Sequence, residues 1–159
     1  MLTRHAKKLL SLTAVVALAA CTDNSITDPF NQAAGTYQLT VYAGKSMPAT
    51  FVIQPGDPSY PQYPNGATFV VTGGTLVLNS NGTFIETNNY TTTPTGQAGQ
   101  NSQFVSSGTW TISNTDIFFT APAQNGNSAR NVQGTLTLDT INYQEDNGAG
   151  GFDSFEYKR

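Results

Sequence analysis

Side chains able to act as nucleophiles or metal ligands are scarce in this chain of 159 residues. There is one cysteine, Cys21, and one histidine, His5, and both fall within the first 21 positions. From residue 22 onward a His-based triad, a cysteine nucleophile, a disulfide and a zinc site of imidazole or thiolate ligands are all excluded. What survives is carboxylate chemistry. Glu86, Asp116, Asp139, Glu145, Asp153 and Glu156 offer the two acids that glycoside hydrolysis places on either side of one bond. Nothing in the spacing pairs them, and charges on a small sheet protein are ordinarily solvated. Glu86 stands apart, because parity with Phe84 would face it inward, whereas a twist or bulge near Asn88-Asn89 would turn it out. The chain contains no Gly-x-Ser-x-Gly elbow, no phosphate-binding loop and no His-Glu-x-x-His pattern. Glu145, Asp146 and Asn147 precede Gly148, but aligning Gly148 as the sixth residue of a calcium loop puts Tyr143 first and Ser154 last. An acidic turn is the expectation there. The sequence therefore points away from an enzyme, and no cofactor or metal is expected.

The one assignable chemistry belongs to Cys21. Arg4, Lys7 and Lys8 precede an apolar run of 12 residues, 9–20, which is too short to span a bilayer core needing ~20 apolar residues. Leu18-Ala19-Ala20-Cys21 closes that run and resembles the lipobox of bacterial lipoprotein precursors. The resemblance implies cleavage after Ala20 and a diacylated Cys21 acylated again on its new amine. An ordinary secretory signal would instead leave a lone thiol. The chain then divides into three regions: a signal peptide over residues 1–20, the acylated cysteine with a flexible tether over 21–34, and a β domain over 35–159. The tether is polar apart from Ile26 and Phe30, and Phe30 can dock on the domain. Thr22 rather than an aspartate succeeds the cysteine, which in diderm lipoproteins implies lipid anchoring at the outer membrane of the cell envelope. Downstream of residue 20 four cations, Lys45, Arg130, Lys158 and Arg159, face ten acids, for a formal charge of −6. The expected partner is thus a lipid bilayer and not nucleic acid, which needs clustered Lys and Arg.

Whatever the domain binds must be positioned by strands. A Gly-Thr-apolar-x-apolar pattern recurs at Gly35, Gly74, Gly108 and Gly134, with a near copy at Gly82. Threonine favours a pleated backbone, and the two apolar residues fall on one face, so each copy predicts a strand entry. Strands are expected over 36–42, with Tyr37, Leu39 and Val41 on one face, and over 49–53, 68–72, 75–79, 83–90, 109–113, 116–120, 132–139 and 154–157. Asn81-Gly82 predicts a tight primed hairpin turn, and Asn114-Thr115 a second turn. No helical period is present after residue 20. Residues 54–66 interleave four prolines with Tyr60 and Tyr63, predicting a polyproline-like loop that either presents two exposed rings or covers the open end of the sheet. Residues 91–103 read as a polar mobile loop.

The fold class expected is all-β, an antiparallel up-and-down meander of about eight strands. Gly35-Thr36-Tyr37-x-Leu39, Gly44-Lys45-x-x-Pro48, the Gly74 to Phe84 hairpin, Ser107-Gly-Thr-Trp-Thr-Ile112 and Gly134-Thr-Leu-Thr-Leu138 together resemble the small lipocalin-like lipoproteins of bacteria. That resemblance implies a barrel whose interior holds a small apolar molecule or is filled by side chains. A noncatalytic barrel binding a small apolar ligand or an envelope protein is then expected, with Tyr37, Phe84, Glu86, Trp110, Tyr60 and Tyr63 as candidate contacts. A structural or adhesive β-sandwich without a cavity is the alternative, and a carboxylate-dependent hydrolase the third.

Overall fold

The computed structural model describes residues 28–123, 128–147 and 150–159. The signal segment, Cys21 and the first part of the tether lie outside the described residues. The elements are a helix α1 (Pro29–Ala33) and strands β1 (Gly35–Tyr42), β2 (Lys45–Ser46), β3 (Ala49–Ile53), β4 (Ala67–Leu78), β5 (Thr83–Pro94), β6 (Gln100–Ser113), β7 (Asp116–Ala121), β8 (Arg130–Thr137), β9 (Thr140–Asp146) and β10 (Phe152–Lys158).

Eight of these strands close into an antiparallel barrel. β4 through β10 pair in chain order, and β1 bonds to β10 on one side and to β4 on the other. Closure abolishes the exposed edges that a sandwich of open sheets would keep. The β1–β4 pairing covers only one end, from Gly35↔Leu78 to Gln38↔Thr75. Towards the other end the two strands diverge, and β2 and β3 fill the gap, β2 on β1 and β3 on β4. The barrel is therefore narrow at one end and flared at the other.

Alternation along each strand sends one set of side chains inward. Tyr37, Leu76, Leu78, Phe84, Trp110, Ile117, Phe119 and Ile141 pack the narrow end and are buried. Helix α1 seals it from below. Asp28 caps the helix by accepting from the Phe30 amide at 2.9 Å, as an N-cap carboxylate does. The Phe30 ring lies 4.7 Å from that of Trp110. The Tyr37 hydroxyl donates to the Ala33 carbonyl at 2.7 Å, and Arg159 donates to the carbonyls of Gln32 and Ala34 while lying over the Tyr37 ring. A five-residue helix leaves no period in sequence, and Phe30 docks where it was free to do so.

Several elements differ from expectation for identifiable reasons. Residues 68–72 and 75–79 are one strand, β4, with a bulge between Val71 and Gly73. The polar run 91–103 belongs mostly to the β5–β6 hairpin, whose ladder reaches Thr92↔Gln100; its threonines are strand formers that stay polar because they stand at the barrel rim. Residues 140–146 form β9, turned by Leu138 and Asp139 with Leu138 at φ 54°, so Glu145 and Asp146 are strand residues and no acidic turn includes them. A bulge between Leu39 and Val41 brings Tyr42, not Val41, into register with Phe155 and into ring contact with it. Asn79 to Gly82 make a four-residue connection in which the Gly82 amide donates to Asn79, instead of a two-residue primed turn. The prolines of 54–66 do not extend: successive backbone bonds, among them Asp57 to Gln54, Tyr60 to Asp57 and Tyr63 to Tyr60, fold the loop into consecutive turns. Finally, Gly74, Gly108 and Gly134 lie inside strands and not at their entries. At Gly74 the reason is close approach, since a Cβ there would strike the Asn88 side chain.

Candidate ligand-binding site

Midway up the barrel the apolar filling gives way to a polar centre. On β5 the inward positions run Phe84, Glu86, Asn88, Tyr90, so parity carries a carboxylate and an amide into the interior. β9 contributes Tyr143 and Glu145, β10 contributes Tyr157, and Arg130 enters from the first residue of β8. Glu86 is 1% exposed. Its Oε1 accepts from the Tyr143 hydroxyl at 2.6 Å, the Tyr157 hydroxyl at 2.7 Å and the Asn88 amide at 2.9 Å. Its Oε2 meets Arg130 Nη1 at 2.5 Å. Arg130 also bonds Glu145 through Nε at 2.5 Å and the Tyr143 hydroxyl through Nη2 at 3.2 Å. The Tyr157 hydroxyl lies 2.9 Å from Asn88 Oδ1, so its single proton is shared between two acceptors.

Burial without partners would cost several kcal/mol for a charge, and this network meets that cost by satisfying both oxygens. Among the described residues no buried side-chain polar atom is left without a hydrogen bond. Burial, and then the Glu86 charge, push the phenols of Tyr143 and Tyr157 well above the ordinary tyrosine range. The same two causes raise Tyr90 to about 12. Burial is the largest single influence on Arg130 and works against its charge, but Glu86, Tyr143 and Glu145 together outweigh it and hold the guanidinium protonated. Glu86 thus has both oxygens committed and none free for a substrate proton, and its chemistry is that of an internal counter-ion. Glu86 and Glu145 come together only through the guanidinium between them.

Above this centre the barrel is hollow. A chamber of about 210 Å³ is bordered by Tyr42, Glu86, Asn88, Tyr90, Phe104, Glu145, Asp146, Asp153 and Phe155. It meets a mouth cavity of about 450 Å³ whose walls include Tyr42, Phe51, Tyr60, Tyr63, Phe69 and Asp153. Tyr42 and Asp153 belong to both, and the Tyr42 hydroxyl donates to Asp153 at 3.0 Å. Burial and the Asp153 charge raise the Tyr42 phenol above its ordinary range. Rings line the descent in sequence: Phe69 against Phe51 at 6.3 Å, Phe51 against Tyr42 at 5.7 Å, and Tyr42 against Phe155 at 5.1 Å. A further hollow of about 640 Å³ lies at the side, where β7 pairs with β6 only over Thr109 to Ser113. Arg130, Phe104, Pro122 and Ser128 line it.

The candidate residues divide by height. Tyr37, Phe84 and Trp110 are sealed in the narrow end, and the Trp110 indole donates to the Asn79 carbonyl at 3.1 Å. Glu86 sits at the polar centre, and Tyr60 and Tyr63 stand at the mouth. Sequence reasoning did not find Tyr42, Tyr90, Asn88, Arg130, Tyr143 or Tyr157. For Asn88 and Tyr90 the signal was present, since they continue the parity of Phe84 and Glu86. For Tyr42 it was not, because a bulge changes its parity.

The class defined by these observations is an antiparallel up-and-down eight-stranded barrel, compatible with a lipocalin-like fold. No protein-family model, curated protein or solved structure matches this chain.

Proposed function

We propose that this chain is a lipid-anchored protein of the bacterial cell envelope, held by an acylated Cys21, whose barrel binds a small molecule without transforming it. The observation that carries the binding reading is the mouth cavity of about 450 Å³, walled by Tyr42, Phe51, Tyr60, Tyr63 and Phe69 above a filled lower half. Concave sites with predominantly aromatic walls and a few fixed polar groups are where small ligands bind. The prolines of 54–66 serve this reading by holding two tyrosines over the opening on a folded loop with little freedom to lose. Binding is favoured over turnover because the most deeply placed carboxylate, Glu86, is committed on both oxygens. Anchoring rests on the run of residues 9–20 and on Leu18-Ala19-Ala20-Cys21, and outer-membrane delivery on Thr22.

Native mass spectrometry of the Cys21→Ser protein recovered from its own envelope tests the first part: a retained mass identifies the ligand, and its repeated absence under gentle conditions counts against a carrier. Labelling with radioactive palmitate tests the second. Label on the wild type that is lost with Cys21→Ser supports anchoring; an unlabelled wild type removes it.

A further inference from the structure

Resting on the reading of the mouth as a ligand cavity, we infer that its ligand carries a positively charged amine on an apolar, preferably aromatic, body, with the amine seated against Asp153. The lower chamber is bordered by four carboxylates, Glu86, Glu145, Asp146 and Asp153, and, among the described residues, by no cationic side chain. Arg130, standing behind the wall, bonds Glu86 and Glu145. Asp153 lies directly opposite Glu145 in the β9–β10 ladder, and like charges in that position repel. Its one side-chain bond among the described residues is from the Tyr42 hydroxyl, a neutral donor that leaves the charge uncompensated.

An ammonium placed between Asp153 and the aromatic wall satisfies both. It donates to the carboxylate, gaining the extra strength of a charge-assisted bond, and lies on ring faces that attract cations. The barrel already holds its own cations in this way: Lys45 Nζ lies 4.3 Å from the centre of the Phe51 ring, and Arg130 lies over both Phe104 and Tyr143. A neutral apolar ligand would desolvate Asp153 with no return. An anion would meet four carboxylates. A metal ion is a poorer fit, because among the described residues no three carboxylates converge on one point.

Three probes of one shape separate these cases: 2-(1-naphthyl)ethylamine, 2-(1-naphthyl)ethanol and 1-naphthylacetate, titrated by calorimetry into residues 21–159 carrying Cys21→Ser. The amine is expected to bind about tenfold more tightly than the alcohol, equivalent to roughly 1.4 kcal/mol, with the carboxylate weakest. In Asp153→Asn the amine loses its advantage and binds no better than the alcohol, while the alcohol, spared the desolvation of a charge, binds no more weakly than to the wild type. Salt provides a check that needs no variant, since the amine weakens with added sodium chloride and the alcohol does not. If the alcohol binds and the amine binds no better, or if the preference survives Asp153→Asn, the charge inference is overturned while the cavity stands. If none of the three binds, the cavity reading falls as well.

Discussion

Replacing Arg130 with methionine removes the one charge that, among the described residues, balances Glu86. The carboxylate side chain is 2% exposed and the guanidinium 9%, so the pair is largely withdrawn from bulk water. Three neutral donors, Tyr143, Tyr157 and Asn88, remain on Oε1, but Oε2 loses Arg130. Breaking a buried pair from one side costs about 3–5 kcal/mol, because a buried charge is left without its partner. The second pair that Arg130 makes, with Glu145 at 29% exposure, is partly screened and adds under about 1 kcal/mol. The predicted loss is thus about 3–5 kcal/mol, a large share of the ~5–15 kcal/mol that holds a domain together. In urea, with a slope of about 2 kcal/mol per molar, the midpoint falls by about 1.5–2.5 M at neutral pH. The decisive variant is the double one. Glu86→Gln with Arg130→Met removes both charges and keeps an oxygen that accepts from the two tyrosines, so it should recover about 2–3 kcal/mol and be more stable than Arg130→Met alone. Equilibrium urea unfolding measured by circular dichroism reads both. If the double variant is no more stable than the single, or if Arg130→Met costs under about 1 kcal/mol, the account of Glu86 as a buried ion requiring a counter-ion is wrong.

Alkaline unfolding should be steep. Tyr37, Tyr143 and Tyr157 are buried with phenols raised above the ordinary value near 10, so the unfolded chain releases their protons first. Their contribution is intact below the unfolded value and is lost as pH rises towards the folded ones, about 1.4 kcal/mol by pH 11 for each of Tyr143 and Tyr157, or about 3 kcal/mol together, with Tyr37 acting in the same direction. Tyrosinate absorbance from these rings should rise only with loss of the circular dichroism signal; a gradual rise in the folded protein contradicts their placement. Phe30→Ala removes the ring packed on Trp110 and should cost about 1–3 kcal/mol, read as a lower melting temperature. Gly74→Ala puts a methyl into the Asn88 side chain and should cost about 1–3 kcal/mol in urea unfolding. Tyr60→Ala with Tyr63→Ala should weaken any mouth ligand severalfold in calorimetry while leaving the melting temperature within about 2 °C, because surface loop changes rarely exceed ~0.5 kcal/mol.

The barrel was legible wherever one residue in two had to be apolar. Phe84, Trp110-x-Ile112 and Ile117-x-Phe119 fix inward faces by parity alone, and of the two directions open to Glu86 the structure shows the one that parity gives. Parity failed at the bulges at Thr40 and Thr72, which cost one residue each and leave no composition mark. It failed again at Leu138, which takes positive φ without being glycine or asparagine. The Gly-Thr pattern marks strand starts at Gly35 and Gly82 but falls inside strands at Gly74, Gly108 and Gly134, because glycine serves close approach inside the barrel as well as turning at its ends. The polar centre was only half visible. One strand's parity gives Glu86, but Arg130, Tyr143 and Tyr157 join it through register across 44, 57 and 71 residues of chain, which no local pattern records.

Helix α1 fixes a direction of traffic. It docks beneath the narrow end, so a chain held at Cys21 leaves the barrel on the side opposite the mouth. Only seven steps separate Cys21 from Asp28, at most ~25 Å of chain. Under the anchoring proposed at Cys21, the sealed floor would rest near the bilayer and the opening would stand roughly a strand length further out, ~30 Å. Molecules dissolved in the surrounding water reach the aromatic rings directly, whereas one leaving the membrane would have to travel around the outside of the barrel. Anchored as proposed, the protein would sample its solution and not its lipid.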